Sequence, residues 1–198
     1  MATSGQTIEI ALSKKKIFFM LIGALAFVAI GLWFVISPPT ISNSYWGNPT
    51  KIAIAGYASI VFFGLCAFVL IKKLPDNKPG LIIDQTGLTD NSSGVSAGQI
   101  LWTDIENISV IEIHSQKLIM LQVTNPQDYI DKQTSSFKRK MMQLNYKMYG
   151  TPLSITSNGL KISFDELLST LTDKLNATRQ LQKVEERTHN KSIAAIGA

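Results

Sequence analysis

Two long apolar stretches dominate the first part of the chain. Residues 17–36 and residues 52–71 contain no charged side chain. A helix of either length spans about 30 Å, the thickness of a bilayer's hydrocarbon core, and it satisfies its own backbone hydrogen bonds there. The pattern predicts two transmembrane helices over these residues, joined by a loop at 37–51. Small residues on both stretches favour close helix packing: Gly23, Ala26, Gly31, Ala55, Ser59 and Gly64.

A cleaved signal peptide is the alternative interpretation of the first stretch. Three lysines at 14–16 precede it, but it is longer than the apolar part of a usual signal peptide. Ser-Pro-Pro at 37–39 also replaces a small-x-small cleavage site. We therefore expect both helices to be retained. Neither contains Asp, Glu, Lys, Arg or His, so a proton relay or ion pathway has no ionisable groups to use, which argues against a transporter.

The segment at 1–16 precedes the first helix. Ile8, Ile10 and Leu12 occupy alternate positions, which is the pattern of a half-buried β-strand. Such a strand would add to the edge of a sheet formed by the C-terminal part of the chain. A disordered tail is the other interpretation, and the sequence leaves both open.

After a breaker-rich linker at 75–79, short segments rich in β-branched residues alternate with turn residues. Polar residues alternate imperfectly with apolar ones in these segments, as in half-buried strands. The pattern predicts strands over 81–84, 88–91, 100–103, 105–113 and 117–124, with turns at 91–94 and 114–116.

The hydrophobic period changes after residue 124. Asn125 and Pro126 suit the N-cap and first position of a helix, and Gly150 and Pro152 suit its end. One apolar stripe is predicted along this inserted helix, at Ile130, Phe137, Met141, Leu144 and Met148.

The C-terminal part is predicted to form two more strands, at 153–156 and 160–162, and a last helix. Ser163 and Glu166 make a capping box that opens this helix. Its expected apolar face contains Phe164, Leu168, Leu171 and Leu175. Residues 188–198 lack periodicity and are expected to form a flexible tail.

Positive charge is concentrated beside the two apolar stretches. Six lysines and one glutamate up to Lys73 account for the whole formal net charge of +5, while thirteen basic and thirteen acidic residues follow. Lysines at 14–16 and 72–73 flank the pair of helices, and the loop between them carries only Lys51. Because positive residues favour the cytoplasmic side, we expect a multi-pass protein of the inner (plasma) membrane with both termini cytoplasmic and the loop outside. The neutral remainder argues against nucleic-acid binding.

The order of elements predicts a transmembrane α-hairpin plus an α+β domain at 80–187. It resembles bacterial membrane proteins with a pleckstrin-homology-like domain in PGLIID at 79–84, GLTDN at 87–91 and ILWTDI at 100–105. NYKMYGTPLSI at 145–155 and LKISFDEL at 160–167 resemble a family of small, uncharacterised bacterial membrane proteins of this layout, and the resemblance covers nearly the whole chain. It implies a pleckstrin-homology-like antiparallel β-barrel with an inserted helix and a closing C-terminal helix. The family has no established activity, so function stays open.

The ionisable residues form no recognisable catalytic or metal-binding motif. His114 lies in a predicted turn and His189 in the predicted tail, and neither has a second His or Cys at metal-ligand spacing. Solvation is the simpler role for Asp104 and Glu106, and helix capping explains the carboxylates at 165–166. We expect no enzyme, no cofactor and no small-molecule substrate.

Basic residues on and beside the inserted helix form one candidate surface facing the membrane or a partner: Lys132, Lys138, Arg139, Lys140 and Lys147. A basic amphipathic helix can rest on anionic headgroups. The alternative is a solvated face opposite an apolar stripe buried on the barrel. We expect a membrane-tethered binding or scaffold module that recognises a protein partner or the inner-leaflet surface, partly by analogy with the fold. A self-assembling structural membrane subunit is the alternative function.

Overall fold

The computed structural model describes residues 7–39, 48–93, 95 and 97–196, and the chain divides into two compact units. The helical unit is Ser13–Asn77, and the α+β unit combines Met1–Leu12 with Lys78–Ala198. The helical unit is therefore an insertion within the α+β unit. The α+β unit extends beyond the domain predicted at 80–187, because the N-terminal segment belongs to it.

The helical unit contains two long apolar helices, α1 (Lys14–Ile36) and α2 (Pro49–Lys73). Both begin a turn earlier than the predicted spans because a side chain caps each one. The Ser13 hydroxyl accepts from the amide of the third helical residue at 3.4 Å, and the Asn48 side chain accepts from the Thr50 amide at 2.9 Å. Both helices are long and apolar enough to cross a membrane.

Small residues bring α1 and α2 together at one level. A Cβ on Gly31 would lie 2.9 Å from the Gly56 carbonyl oxygen, and a Cβ on Gly56 would lie 2.7 Å from the Gly31 carbonyl oxygen. The Ser59 hydroxyl donates to a backbone carbonyl of α1 at 3.0 Å. The predicted close packing is thus present at Gly31 and Ser59. It is absent at Gly23 and Gly64, where a Cβ would meet nothing within 4 Å.

Seven strands form two antiparallel sheets in the described part of the α+β unit. The first sheet has the order β1-β2-β3-β4, with β1 (Ile8–Ala11), β2 (Pro79–Ile83), β3 (Gly87–Asp90) and β4 (Gly98–Leu101). The second contains β5 (Ile105–Ile113), β6 (Gln116–Val123) and β7 (Leu153–Ile155). Three helices complete the unit: α3 (Pro126–Asp131), α4 (Ser136–Tyr149) and α5 (Phe164–Ile196).

Of the two alternatives for the N-terminal segment, the structure has the strand. β1 runs antiparallel to β2, with Ile8 opposite Ile83 and Ile10 opposite Leu81. Ile10 and Leu12 are only 6% and 3% exposed, so the alternating apolar positions point into the core. The strand that precedes α1 thus pairs with the strand that follows α2.

The two sheets do not close into the expected barrel. Among the described residues, no strand of the first sheet pairs with a strand of the second. The predicted strand at 160–162 is reduced to one isolated bridge between Leu12 and Leu160, with the Lys161 amide donating to the Ala11 carbonyl at 2.9 Å. The Leu160 amide donates to the Ser157 carbonyl in a turn, so this segment does not extend into a ladder.

The central hairpin of the second sheet agrees with its predicted strands. β5 has the predicted bounds, and β6 differs by one residue at each end. His114 and Ser115 form the two-residue turn between them, with φ of 47° and 63°. The predicted strand at 100–103 ends earlier, because a 3-10 turn over Trp102–Asp104 redirects the chain into β5.

The single inserted helix predicted after Asn125 is two helices. Residues between α3 and α4 leave the helical path, where the Gln133 side-chain amide donates to the Tyr129 carbonyl at 3.2 Å and the Ala97 carbonyl at 3.4 Å. Ser135 then caps α4. Gly150, with φ of 75°, ends α4 in the left-handed conformation, as the sequence predicts.

The last helix is anchored by buried leucines in its N-terminal half. Leu171 and Leu175 of the predicted apolar face are buried, and Leu167 is buried in place of its half-exposed neighbour Leu168. The predicted flexible tail is helical as far as Ile196, since α5 continues through it.

Candidate functional site

The described residues contain no group of three His, Cys, Asp or Glu side chains placed to hold a metal ion. His114 is exposed in the β5–β6 turn. His189 lies on α5, and its side chain is outside the described part.

Asp104 has a structural partner and is not simply solvated. The Tyr129 hydroxyl donates to its carboxylate at 2.6 Å, which fastens α3 to the 3-10 turn. Burial raises the pKa of Tyr129 to about 12, and the hydrogen bond to Asp104 adds to the shift. A hydroxyl that stays protonated is a fixed hydrogen-bond donor, so this pair positions α3.

The side chains of Asp84 and Ser163 each accept hydrogen bonds that shape the local backbone. Hydrogen bonds from the Thr86 hydroxyl, and to a smaller extent from the Gly87 and Thr86 amides, lower the pKa of Asp84. Burial acts in the opposite direction and raises it less than the hydrogen bonds lower it. The Glu166 amide donates to the Ser163 hydroxyl at 3.3 Å, which is half of the predicted capping box. Both arrangements are complete without a substrate.

The apolar stripe of α4 faces outward. Phe137, Leu144 and Met148 are 66%, 46% and 59% exposed, and Met141 is half-buried. Met142, one position along from the stripe, is 1% exposed and anchors the helix. The interpretation in which the stripe is buried and the basic face is solvated is therefore wrong for this helix.

The five basic residues of the predicted surface lie in three environments: two contact the α+β unit itself, two border the exposed stripe and one faces a groove. The Lys132 ammonium lies 5.2 Å from the centre of the Tyr129 ring, and Arg139 donates to the Gln133 carbonyl at 2.9 Å. These two contacts are directed toward the unit itself. Only part of the predicted patch therefore remains beside the exposed stripe.

Lys140 and Lys147 are the basic residues that flank the exposed stripe. Lys140 is three residues after Phe137 and four before Leu144, and Lys147 is seven residues after Lys140, so both lysines lie along one border of the stripe. Both are exposed. The stripe and its border combine large apolar side chains with two cations, which is the composition of a helix that lies at a membrane surface.

Lys138 faces a different feature, an open groove of about 470 Å³ between the first sheet and the start of α4. Its lining combines both charge signs with apolar and amide groups: Lys78, Pro79, Ile82, Thr89, Asp90, Asn91, Ala97, Gly98, Gln133 and Lys138. The Asp90 carboxylate is 4% exposed and accepts from the Ser92 amide and hydroxyl. The groove offers no concentration of a single charge.

Sequence reasoning found the amphipathic character of α4 and missed which side is exposed. Periodicity measures how strongly apolar residues segregate, and it carries no information about which side packs on the unit. The available signal was the lone apolar Met142 between Lys138, Asn145 and Tyr149, which share its side of the helix.

Comparison with known protein families, with characterised proteins and with solved structures finds no match to this chain.

Proposed function

We propose that the chain is an integral protein of the bacterial inner membrane, whose α+β unit is a binding or scaffold module held at the cytoplasmic surface. Its two apolar helices cross the bilayer as a hairpin. The observation that carries this proposal is the pairing of β1, which precedes the two helices in the chain, with β2, which follows them.

The exposure of α1 and α2 supports a membrane location. Only 17% and 11% of their most apolar stretches are buried within the molecule. A core helix of a water-soluble protein would be mostly buried, whereas these helices present phenylalanine, leucine and isoleucine outward over most of their length. A bilayer supplies the apolar surroundings that such surfaces need.

Strand pairing supports a topology with both ends of the hairpin on one side of the membrane. β1 precedes α1 and β2 follows α2, and the two strands are hydrogen-bonded neighbours. Cleavage after α1 would also remove β1 from its sheet. Within the helical unit the Lys14 ammonium donates to the Leu74 carbonyl at 2.5 Å, so the first residue of α1 meets the end of α2.

Charge supports the cytoplasmic placement of this end. Lysines at 14–16 and 72–73 lie there, and the connecting loop carries only Lys51. The positive-inside rule then puts both termini in the cytoplasm. A pleckstrin-homology-like architecture agrees with the strand count and with the helix that follows the second sheet, although the two sheets of the described residues do not close into a barrel. Folds of that type serve recognition, which favours a binding module.

Cysteine labelling in whole cells tests the topology. In a Cys66→Ala background, Ser44→Cys in the loop should react with a membrane-impermeant maleimide in intact spheroplasts. Glu112→Cys, exposed on β5, should react only after lysis. Labelling of Glu112→Cys in intact spheroplasts would overturn the cytoplasmic placement, and protection of both positions until lysis would overturn the crossing.

Cross-linking in native membranes then separates the two modes of action. A heterologous band of one size supports recognition of a partner protein. A ladder of multiples of the chain mass would instead support the self-assembling subunit.

A further inference from the structure

We propose that the exposed side of α4 binds the surface of an anionic membrane leaflet. The binding surface consists of the stripe Phe137, Met141, Leu144 and Met148 with the bordering Lys140 and Lys147. This inference rests on the membrane topology proposed above, and it identifies the lipid surface as the ligand of the tethered module.

The stripe is held outward by the packing of the helix itself. Met142 is 1% exposed, and Asn145 and Tyr149 on the same side are half-buried, so this side fastens α4 to the unit. The stripe lies next to that side and leaves Phe137 and Met148 more than half exposed. Large apolar side chains grouped on one exposed helix surface mark an interaction site.

Charge complementarity selects an anionic lipid surface as the occupant. The segment Ser136–Tyr149 contains four basic residues and no acidic residue, in a C-terminal part of the chain that is neutral overall. Lys140 and Lys147 can extend their ammonium groups to phosphate level while their methylene stems follow the apolar side chains into the acyl boundary. Each lysine near an anionic surface strengthens binding about fivefold.

Short connections tether the α+β unit to the two apolar helices. Two residues separate β1 from α1, and five separate α2 from β2. Tethering makes contact with the leaflet an intramolecular event with a high effective concentration. A helix whose lipid affinity would be weak in isolation therefore suffices.

Lipid-borne quenchers test the contact in the full-length protein. A polarity-sensitive fluorophore is attached at Met148→Cys in a Cys66→Ala background, and the protein is reconstituted into bilayers with quencher-labelled lipid, with or without phosphatidylglycerol. We expect a blue-shifted, strongly quenched signal with phosphatidylglycerol. Lys140→Gln with Lys147→Gln should lower the equilibrium constant between the lipid-bound and free states of α4 about 25-fold, and the quenched fraction should fall accordingly. Two controls should change nothing: the pair Lys174→Gln with Lys183→Gln on α5, and the label moved to the exposed Val110→Cys, which should remain unquenched.

The native Cys66 separates failure of this inference from failure of the topology. The fluorophore on Cys66, within α2, reports whether the hairpin lies in the bilayer independently of α4. A quenched Cys66 with an unquenched Met148→Cys would overturn the lipid contact and leave the hairpin intact. An unquenched Cys66 would overturn the proposed topology itself. Energy transfer between labelled copies at Met148→Cys without lipid quenching would assign the stripe to a second copy and also overturn the inference.

Discussion

Leu12→Ala tests whether the N-terminal strand is an integral part of the α+β unit. Leu12 is 3% exposed and forms the bridge to Leu160. It packs over Gly80, since a Cβ placed there would lie 2.9 Å from a Leu12 methyl group and closer still to a Leu160 methyl group. Truncation therefore opens a cavity at the point where β1, β2 and the segment after β7 meet.

The expected cost follows from burial. Replacing a fully buried leucine by alanine costs about 2–5 kcal/mol, and we expect about 3 kcal/mol because neighbours on three segments limit the collapse of the cavity. About 1.4 kcal/mol changes an opening equilibrium tenfold, so amide hydrogen exchange in β2 and β3 should accelerate about 100-fold.

Hydrogen-exchange mass spectrometry of the reconstituted protein measures this in the peptide that covers 79–90. Leu181→Ala is the matched control, because the same atoms are removed from a side chain that is 61% exposed. Its exchange should match that of the unsubstituted protein. Equal exchange in Leu12→Ala and Leu181→Ala would refute the integral strand, and with it the argument that both ends of the hairpin share one side of the membrane.

Three further predictions concern the hairpin and the α+β unit. Gly31→Leu should lower the melting temperature of the helices in detergent, measured by circular dichroism, because a Cβ on Gly31 would lie 2.9 Å from the facing backbone. Gly23→Leu should leave that melting temperature unchanged, because a Cβ on Gly23 would meet nothing within 4 Å. Tyr129→Phe should cost about 1–2 kcal/mol at neutral pH, since it removes the bond to Asp104. Because the folded pKa of Tyr129 is raised to about 12, its stabilisation is complete below pH 10 and is lost as the pH rises toward 12; urea titrations across that range should show this loss, and the Phe variant should lack it. Ser115→Gly should stabilise the β5–β6 turn by about 0.5–1 kcal/mol, because Ser115 has φ of 63°, and an unchanged melting temperature would contradict the strain argument.

Elements that depend on local chemistry were predictable from the sequence. The two apolar helices follow from length and composition alone, and capping by Ser13 and Asn48 moved only their first turns. β5 follows from its β-branched residues and β6 from its apolar run between turn residues, and Gly150 ends α4 because glycine adopts the left-handed conformation without strain.

Choices between alternatives that are equal in local chemistry needed the tertiary structure. The alternation at Ile8 and Ile10 suits a strand, but only the free edge of β2 supplies its partner. At the break between α3 and α4, the Gln133 amide donates to the distant Ala97 carbonyl, a contact that short-range patterns do not predict. Whether the sheets close depends on pairing between segments far apart in the chain, which short-range patterns do not encode.

The candidate surface shows the same division. The sequence by itself determined that α4 is amphipathic and rich in lysine, because both properties belong to the order of its residues. The tertiary structure decided that Met142 faces inward and Phe137 outward. A helix buries the side that fits the surface beneath it, and that surface is made of residues from other parts of the chain.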